Sequence, residues 1–226
     1  AIRNIAITNF ASAAVYIKGS SATGNAVESN RIGISMAGAS GPNLYGVVIA
    51  GGAANNTIGG TTATKNVISA NTNSGVMITD SGTNGNYIRG NSIGPTASGG
   101  SGSGNGAGIK IMNSAQGNFI GGTGAAQENT VAFNTGAGVD VSGAATDFNQ
   151  AGRNLVYSNG GNGIQLDGAG ANNNIQPPAI STVDYDGVDY DITGAAACPA
   201  YPCAVELFLV DNPAAAVAAD SSGSGE

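Results

Sequence analysis

The sequence predicts an all-β repeat protein, a three-sided solenoid in which each coil adds one short strand to each of three stacked faces. Two observations carry this prediction. Apolar segments of two or three residues, each set off by Asn or Gly, recur at nearly fixed distances, and none is long enough for a helix. Glycine is abundant (38 of 226 residues) and only 9% of the residues are charged, while Ile and Val recur in register, which is typical of a folded repeat rather than a disordered chain.

Three families of short segments make up the repeat, and the spacing within each is about 30 residues. The first family opens with Asn and comprises residues 25–27, 56–58, 86–88 and 118–120. The second also opens with Asn and comprises residues 30–32, 66–68, 91–93, 129–131 and 154–156. The third opens mostly with Gly and comprises residues 15–17, 46–49, 75–78, 108–111, 138–141 and 163–166. Three strands per coil and about six coils describe a solenoid of triangular cross-section.

A longer period of two coils lies over the first. Asn4, Asn66 and Asn129 are 62 and 63 residues apart, which predicts that coils with a tight corner alternate with coils that have a longer one. Residues 88–94 are typical of the tight corner and residues 57–68 of the longer corner. Asn is expected at tight corners because it tolerates the left-handed backbone conformation and bonds its own backbone, while Gly supplies positive φ at other corners.

Strand alternation assigns the side chains to two faces, because successive side chains point to opposite sides of a sheet. Three internal columns are predicted, and their members are Val76, Ile78, Ile109, Ile111, Val139, Val141, Ile164 and Leu166; Ile58, Ile88 and Ile120; and Ile68, Ile93, Val131 and Val156. Coils stacked about 4.8 Å apart would turn each column into an aliphatic ladder. The outward column of the third strand is predicted to hold Met77, Lys110 and Asp140, with a surface ion pair of Lys110 and Asp140 worth at most about 1 kcal/mol.

Four phrases of the repeat resemble those of a known group of proteins. NTIGG (56–60), NVISAN (66–71), IRGNSIG (88–94) and NFIGG (118–122) are similar to the repeats of bacterial secreted and surface proteins that fold as right-handed parallel β-helices. The resemblance covers about residues 1–176 and implies that architecture for this part of the chain. It carries no catalytic signature. Related solenoids include polysaccharide-degrading enzymes, adhesins and phage tailspikes, so the fold leaves the function open.

A domain boundary is predicted at Pro177 and Pro178, because consecutive prolines cannot donate hydrogen bonds to a strand ladder. Residues 177–226 form an acidic C-terminal segment with strands predicted at 179–183, 188–193 and 204–210. The segment resembles the small β-sandwich-like module that follows such solenoids in surface proteins, although three strands are too few to complete a sandwich. The stretch Asp184–Asp191 holds four acids; a hairpin with its acids outward and residues 188, 190 and 192 inward is favoured over a calcium loop, since the EF-hand spacing is missing.

The two cysteines, Cys198 and Cys203, lie close together in CPAYPC. Their spacing predicts a small disulfide and therefore an oxidising, extracellular or cell-surface location. Two free thiols, or a metal pair without its other ligands, remain the alternatives. The absence of a start methionine and of a signal peptide is expected of a mature or trimmed chain.

The carboxylates of the solenoid do not form a catalytic pattern. A glycosidase needs two carboxylates about 5–9.5 Å apart, and a lyase of the pectin-degrading kind needs several acids that hold Ca²⁺ beside a base. Asp80 and Asp167 are expected at equivalent corners three coils apart, roughly 14 Å along the axis. The best remaining group is Asp140, Asp147 and Asp167 with Arg153, and these residues are more simply explained as solvated corner residues. The sequence therefore predicts no catalytic, cofactor-binding or metal-binding residues.

The charges are divided unevenly between the two parts of the chain. Residues 1–176 hold all seven Lys and Arg against six acids, a net charge of +1, whereas residues 177–226 hold eight acids and no base, a net charge of −8. Neither part has a basic stripe, which argues against nucleic-acid binding. No apolar run reaches the roughly 18 residues of a membrane span.

The function expected from the sequence is that of a non-catalytic extracellular structural β-solenoid, which forms or decorates a filament or a cell-surface layer. The alternative is a polysaccharide-binding or polysaccharide-degrading protein, because Tyr87 and Phe119 face outward on adjacent coils, where a sugar ring could stack. Head-to-tail self-association is also expected. Residues 3–8 resemble a strand with an open edge, and the unfinished strands after Pro178 could add to a neighbouring copy.

Overall fold

A computed structural model of the chain describes residues 1–175, 179–185 and 190–195, and it confirms the predicted fold class. The solenoid is a parallel β-helix of six coils whose strands form three six-stranded parallel sheets. Sheet A contains β1 (Ile2–Arg3), β4 (Ala26–Glu28), β7 (Thr57–Gly59), β10 (Tyr87–Arg89), β13 (Phe119–Ile120) and β16 (Gln150–Ala151). Sheet B contains β2 (Ala6–Ile7), β5 (Arg31–Ile32), β8 (Val67–Ile68), β11 (Ser92–Ile93), β14 (Thr130–Ala132) and β17 (Leu155–Tyr157). Sheet C contains β3 (Ala13–Lys18), β6 (Tyr45–Ala50), β9 (Ser74–Thr79), β12 (Ala107–Met112), β15 (Val139–Ser142) and β18 (Ile164–Asp167).

The aliphatic core follows the predicted columns. Ile109 pairs with Val76 on one side and Val139 on the other, and all three side chains are fully buried. The column of sheet A is formed in the same way, with Ile88 between Ile58 and Ile120. In sheet B, Ile93 pairs with Ile68 on one side and Val131 on the other. The members of the last coil are only partly buried, and Leu166 is 39% exposed. Burial of apolar surface at about 25 cal/mol per Å² makes these ladders the main stabilising contribution.

Three ladders of asparagines run beside the aliphatic columns, one at each corner of the triangle, and their members are buried except Asn25 and Asn159 in the outer coils. In every step the Nδ2 of one Asn donates to the Oδ1 of the equivalent Asn in the next coil, at 2.8–3.0 Å. Each corner is named after the two sheets whose strands it connects in chain order. The members are Asn25, Asn56, Asn86, Asn118 and Asn149 at the C–A corner; Asn30, Asn66, Asn91, Asn129 and Asn154 at the A–B corner; and Asn43, Asn71, Asn105, Asn134 and Asn159 at the B–C corner. Stacked identical amides of this kind satisfy one another's donors and acceptors.

The left-handed conformation predicted for Asn at the tight corners is confirmed at Asn4, with a φ of 57°, but at residues 88–94 it belongs to Gly90 (66°), one position before the ladder residue Asn91. The residue in front of the ladder Asn adopts the left-handed conformation at every C–A corner, with φ between 56° and 65° at Gly24, Asn55, Gly85, Gly117 and Phe148. The ladder Asn itself returns to negative φ, which aims its amide along the axis. Asn is therefore required here for its side-chain donors and acceptor, while Gly or a strained residue makes the turn.

The alternation of corner lengths is confirmed, and it involves two corners rather than one. The A–B corner is long in the third and fifth coils, at residues 60–66 and 121–129, where Thr62–Thr64 forms a short 3-10 helix. The B–C corner is long in the second and fourth coils, at residues 33–44 and 94–106. The two long A–B corners meet over the tight corner between them, since the backbone N–H of Thr62 donates to the carbonyl of Ala126 at 2.8 Å.

The sequence suggested that residues 3–8 form one strand, and this prediction was wrong. They form the end of β1 and the whole of β2, separated by a tight corner at which Asn4 has a φ of 57°. The corner repeats the pattern of residues 88–94, because the N–H of Ile5 donates to the Oδ1 of Asn30 as the first step of the A–B ladder.

The C-terminal segment contains an antiparallel hairpin of β19 (Ala179–Tyr185) and β20 (Tyr190–Ala195), which confirms the predicted hairpin. Asp184 and Asp191 face each other across it. Ile192, predicted to face inward, is 39% exposed. The predicted strand at residues 204–210, the turn of the acidic stretch and the predicted Cys198–Cys203 disulfide lie outside the described residues.

Candidate functional site

A cleft lies on the outer face of sheet B, and the alternating corners form its walls. One wall consists of the long A–B corners of the third and fifth coils, and the other is the long B–C corner of the fourth coil. The cleft encloses about 270 Å³. Side chains from both walls and from the sheet contribute to its lining, among them Thr62, Lys65, Ser98, Glu128, Leu155 and Tyr157. The site is therefore assembled from four coils that are distant in sequence.

The floor of the cleft is the outward column of side chains of sheet B, and the exposure of these side chains increases from the third coil towards the sixth. The register places Val67, Ser92, Thr130 and Leu155 side by side on successive coils. Exposure rises from 6% at Val67 and 8% at Ser92 to 53% at Leu155. The floor is thus covered towards the third coil and open towards the sixth.

The covered end is formed by a small second core outside the solenoid. Ile34, Val67 and Ala70 are buried together, and Ala97 of the long B–C corner packs against them. The corner is held in place by its own hydrogen bonds, including those from Ser69 Oγ to the carbonyl oxygens of Gly94 and Ser103. These contacts hold the base of this wall against the solenoid.

The walls of the cleft carry one charge of each sign. Lys65 comes from the long corner of the third coil and Glu128 from that of the fifth coil. Neither side chain takes part in an ion pair with any residue of the described chain, where the only pairs are Arg3–Glu28 and Lys110–Asp140. The ammonium group of Lys65 is a donor, the carboxylate of Glu128 is an acceptor and the hydroxyl of Thr130 is both, so the lining offers donors as well as acceptors.

An aromatic platform stands at the open end of the cleft. Tyr157 is 38% exposed, and its ring meets the edge of Phe133 with 5.6 Å between ring centroids and an interplanar angle of 84°. This edge-to-face contact is a favourable arrangement and limits the rotation of the Tyr157 ring. Leu155 lies two residues earlier on the same outward face, so the two side chains form one amphipathic surface.

The aromatic pair singled out in the sequence lies elsewhere, on sheet A. Tyr87 and Phe119 are paired in register and their rings are stacked, with centroids 4.9 Å apart and planes inclined by 10°. The guanidinium carbon of Arg89 lies 5.1 Å from the centroid of Tyr87. Each ring therefore already covers one face of the other, which leaves less of the ring faces for a sugar. The glycan-facing role of this pair stays a prediction.

Of the candidate carboxylates, the register brings only Asp140 and Asp167 onto neighbouring strands, where they lie diagonally because Asp140 pairs with Gln165 and Asp167 with Ser142. Asp80 accepts hydrogen bonds from the Gly51 N–H and the Thr79 hydroxyl, and Asp147 accepts one from the Asn173 N–H. Arg153 lies at the A–B corner and donates to the carbonyl of Thr123 at 2.8 Å. Within the described part of the chain no group of three or more His, Cys, Asp or Glu side chains could hold a metal ion.

The ion pair of Lys110 and Asp140 is formed as predicted, at 2.8 Å, but it is not an exposed surface pair. The side chain of Asp140 is only 9% exposed and that of Lys110 is 29% exposed. The second oxygen of the carboxylate is buried and has no hydrogen-bond partner. Removing Lys110 would leave a buried charge, so the pair matters more than a solvated pair would.

Sequence reasoning missed the cleft, although the signal was present. The alternation of corner lengths was visible as the two-coil period, and long corners on both sides of one face imply walls. No motif identifies Lys65, Glu128 or Tyr157, because each comes from a different coil and none is part of a repeated phrase.

Comparisons with known proteins do not assign the chain to a family. No protein-family model, curated protein or solved structure matches the chain. Among the described residues, no helix is both long enough and apolar enough to cross a membrane.

Proposed function

We propose that the protein is a non-catalytic extracellular structural β-solenoid that forms or decorates a filament or a cell-surface layer. The observation that carries this proposal is the continuity of the interior: three asparagine ladders and three aliphatic columns run through the coils in one register. Every coil repeats the same contacts with the next coil. Such an arrangement favours a stiff rod, because bending or stretching must break buried hydrogen bonds at several corners at once.

Head-to-tail association of such rods is part of the proposal. The outermost coils of the described solenoid expose apolar side chains, with Ile5 45% and Phe10 53% exposed at one end and Leu166 39% exposed at the other. Unpaired strands with apolar neighbours are templates for further strand pairing. A heterologous contact of this kind propagates into a fibre rather than closing into a ring when the rotation does not close.

The test is an electron micrograph of the purified chain beside a variant that lacks residues 179–226. Filaments are expected for the whole chain, and their loss in the truncated variant would identify the C-terminal strands as the connector. Equal assembly of both proteins would remove the C-terminal strands from the mechanism. Single particles for the whole chain at every concentration would contradict head-to-tail association and the filament-forming role.

The extracellular location rests on the predicted bond between Cys198 and Cys203. Intact mass after alkylation, with and without prior reduction, reports the number of free thiols. Two blocked thiols in native protein are expected. Two freely alkylated thiols would remove the argument for an oxidising compartment.

Polysaccharide binding is the second candidate function, and the cleft on sheet B is the observation that favours it. A walled groove with donors, acceptors and an exposed aromatic ring is the usual form of a small-ligand site. The degrading version of this function has a direct test, which is incubation with pectin, alginate and similar polymers. We expect no new reducing or unsaturated ends. Depolymerisation that is lost in Asp140→Asn or Asp167→Asn would overturn the non-catalytic proposal.

A further inference from the structure

We propose that the cleft on sheet B binds an uncharged oligosaccharide, which lies along the solenoid axis with its apolar face on Tyr157 and Leu155. The inference deepens polysaccharide binding, the second candidate function, and rests on it. It concerns a different face of the molecule from the stacked pair on sheet A, and its residues come from four successive coils.

The chemistry of the lining favours a sugar. A pyranose ring carries hydroxyls around its edge and C–H groups on its faces, so it needs bonding partners at the sides and an apolar platform below. Lys65 and Glu128 supply a donor and an acceptor on one wall, and the Thr130 hydroxyl supplies both from the floor. Tyr157 and Leu155 supply the platform, since both are exposed and lie on one face of β17.

The charge of the lining favours an uncharged ligand. Lys65 and Glu128 cancel each other, and neither is compensated by another described residue. An acidic sugar would be held by Lys65 but repelled by Glu128 across the same cavity of about 270 Å³. A site of this size, slightly below the usual 300–1,000 Å³ of ligand pockets, suits a short piece of a chain rather than a large ligand.

The geometry of the floor favours a chain that runs along the axis. Ser92, Thr130 and Leu155 stand on consecutive coils, about 4.8 Å apart, which is close to the length of one sugar unit. Successive units of a chain would therefore meet successive coils. The covered end at Val67 stops the chain, and the open end at the sixth coil lets it continue.

An extended peptide is the main competitor, and the backbone disfavours it. Peptides that bind sheets usually add a strand to a free edge. The floor strands β11 and β14 are each paired on both sides, with β8, β11, β14 and β17 in one continuous ladder. The cleft therefore presents side chains and no open backbone edge.

The experiment is calorimetric titration of the purified full chain with cellohexaose, xylohexaose and mannohexaose, and with hexagalacturonate as the acidic counterpart. At least one neutral hexasaccharide is expected to bind saturably at millimolar concentration, more tightly than hexagalacturonate. Tyr157→Ala should weaken this binding about tenfold. Tyr157→Phe should retain most of it, and Glu128→Gln should weaken it severalfold.

The matched control is Tyr16→Ala, which removes an exposed aromatic ring from the outward face of sheet C and should leave the affinity unchanged. Equal thermal midpoints of the wild type and Tyr157→Ala exclude misfolding as the cause of weaker binding, and retained binding by Tyr157→Phe shows that the ring is what the ligand needs. The proposal is overturned if none of the neutral sugars saturates, if only hexagalacturonate binds, or if Tyr157→Ala binds as well as Tyr16→Ala. Filament formation by the Tyr157→Ala variant is measured separately, so that a failure of the proposed sugar site can be distinguished from a failure of the proposed filament function.

Discussion

Replacement of Asn86 by Ala tests the asparagine ladders at their centre. Asn86 is fully buried, and its Oδ1 accepts from both the backbone N–H and the Nδ2 of Asn56 at 3.0 Å. Its own Nδ2 donates to the Ala53 carbonyl at 3.1 Å and to the Oδ1 of Asn118 at 3.0 Å. The substitution therefore leaves two donors of Asn56 and the Ala53 carbonyl without partners in a place that water does not reach.

Each unpaired buried group costs about 1–3 kcal/mol, so the free energy of unfolding should fall by about 3–6 kcal/mol after partial relaxation. This is a large share of the 5–15 kcal/mol typical of a folded domain. The assay is urea unfolding followed by circular dichroism, with the midpoint compared between variants.

The control is Asn84→Ala, two residues away in the same corner. Asn84 is exposed, and no hydrogen bond of its side chain is recorded in the described part of the chain, so its loss should cost under about 0.5 kcal/mol. Equal costs for the two substitutions, or a cost of Asn86→Ala below about 1 kcal/mol, would refute the reasoning that the ladder holds the coils together.

Two further substitutions test the register and the corners. Ile109→Ala should lower the free energy of unfolding by about 2–5 kcal/mol because Ile109 is fully buried, against well under 1 kcal/mol for the control Lys18→Met, whose side chain is exposed on the outward face of β3. Similar losses for the two variants would mean that the inward and outward faces of sheet C are exchanged. Gly90→Ala should lower the melting temperature more than Gly117→Ala does. Both glycines have positive φ, but a Cβ at Gly90 would lie 2.6 Å from the Thr61 backbone, whereas at Gly117 it meets nothing within 4 Å. Equal melting points would contradict the contact between long and tight corners.

The strands could be predicted from the sequence because they rest on local patterns. The alternation around Ile109 and Lys110 fixes which side chain points inward, and the repeat spacing fixes which coil it meets. The same argument placed Lys110 beside Asp140 and Tyr87 beside Phe119, and both neighbourhoods are present.

The corners and the cleft depended on contacts that the sequence pattern does not encode. The ladder of Asn43 and its equivalents was missed because loops of very different length precede its members. The burial of Asp140 was missed because alternation distinguishes inward from outward and says nothing of what covers the outer face. Tyr157 was missed because its neighbours in the cleft come from other coils.

The central claim is that the chain is a rod whose coils continue from one copy into the next. X-ray diffraction from aligned filaments tests it most directly, because the strands of a parallel β-helix lie across the axis and repeat about every 4.8 Å along it. The account predicts a strong 4.8 Å reflection along the filament axis. A 4.8 Å reflection perpendicular to that axis, or no filaments at any concentration, would contradict it.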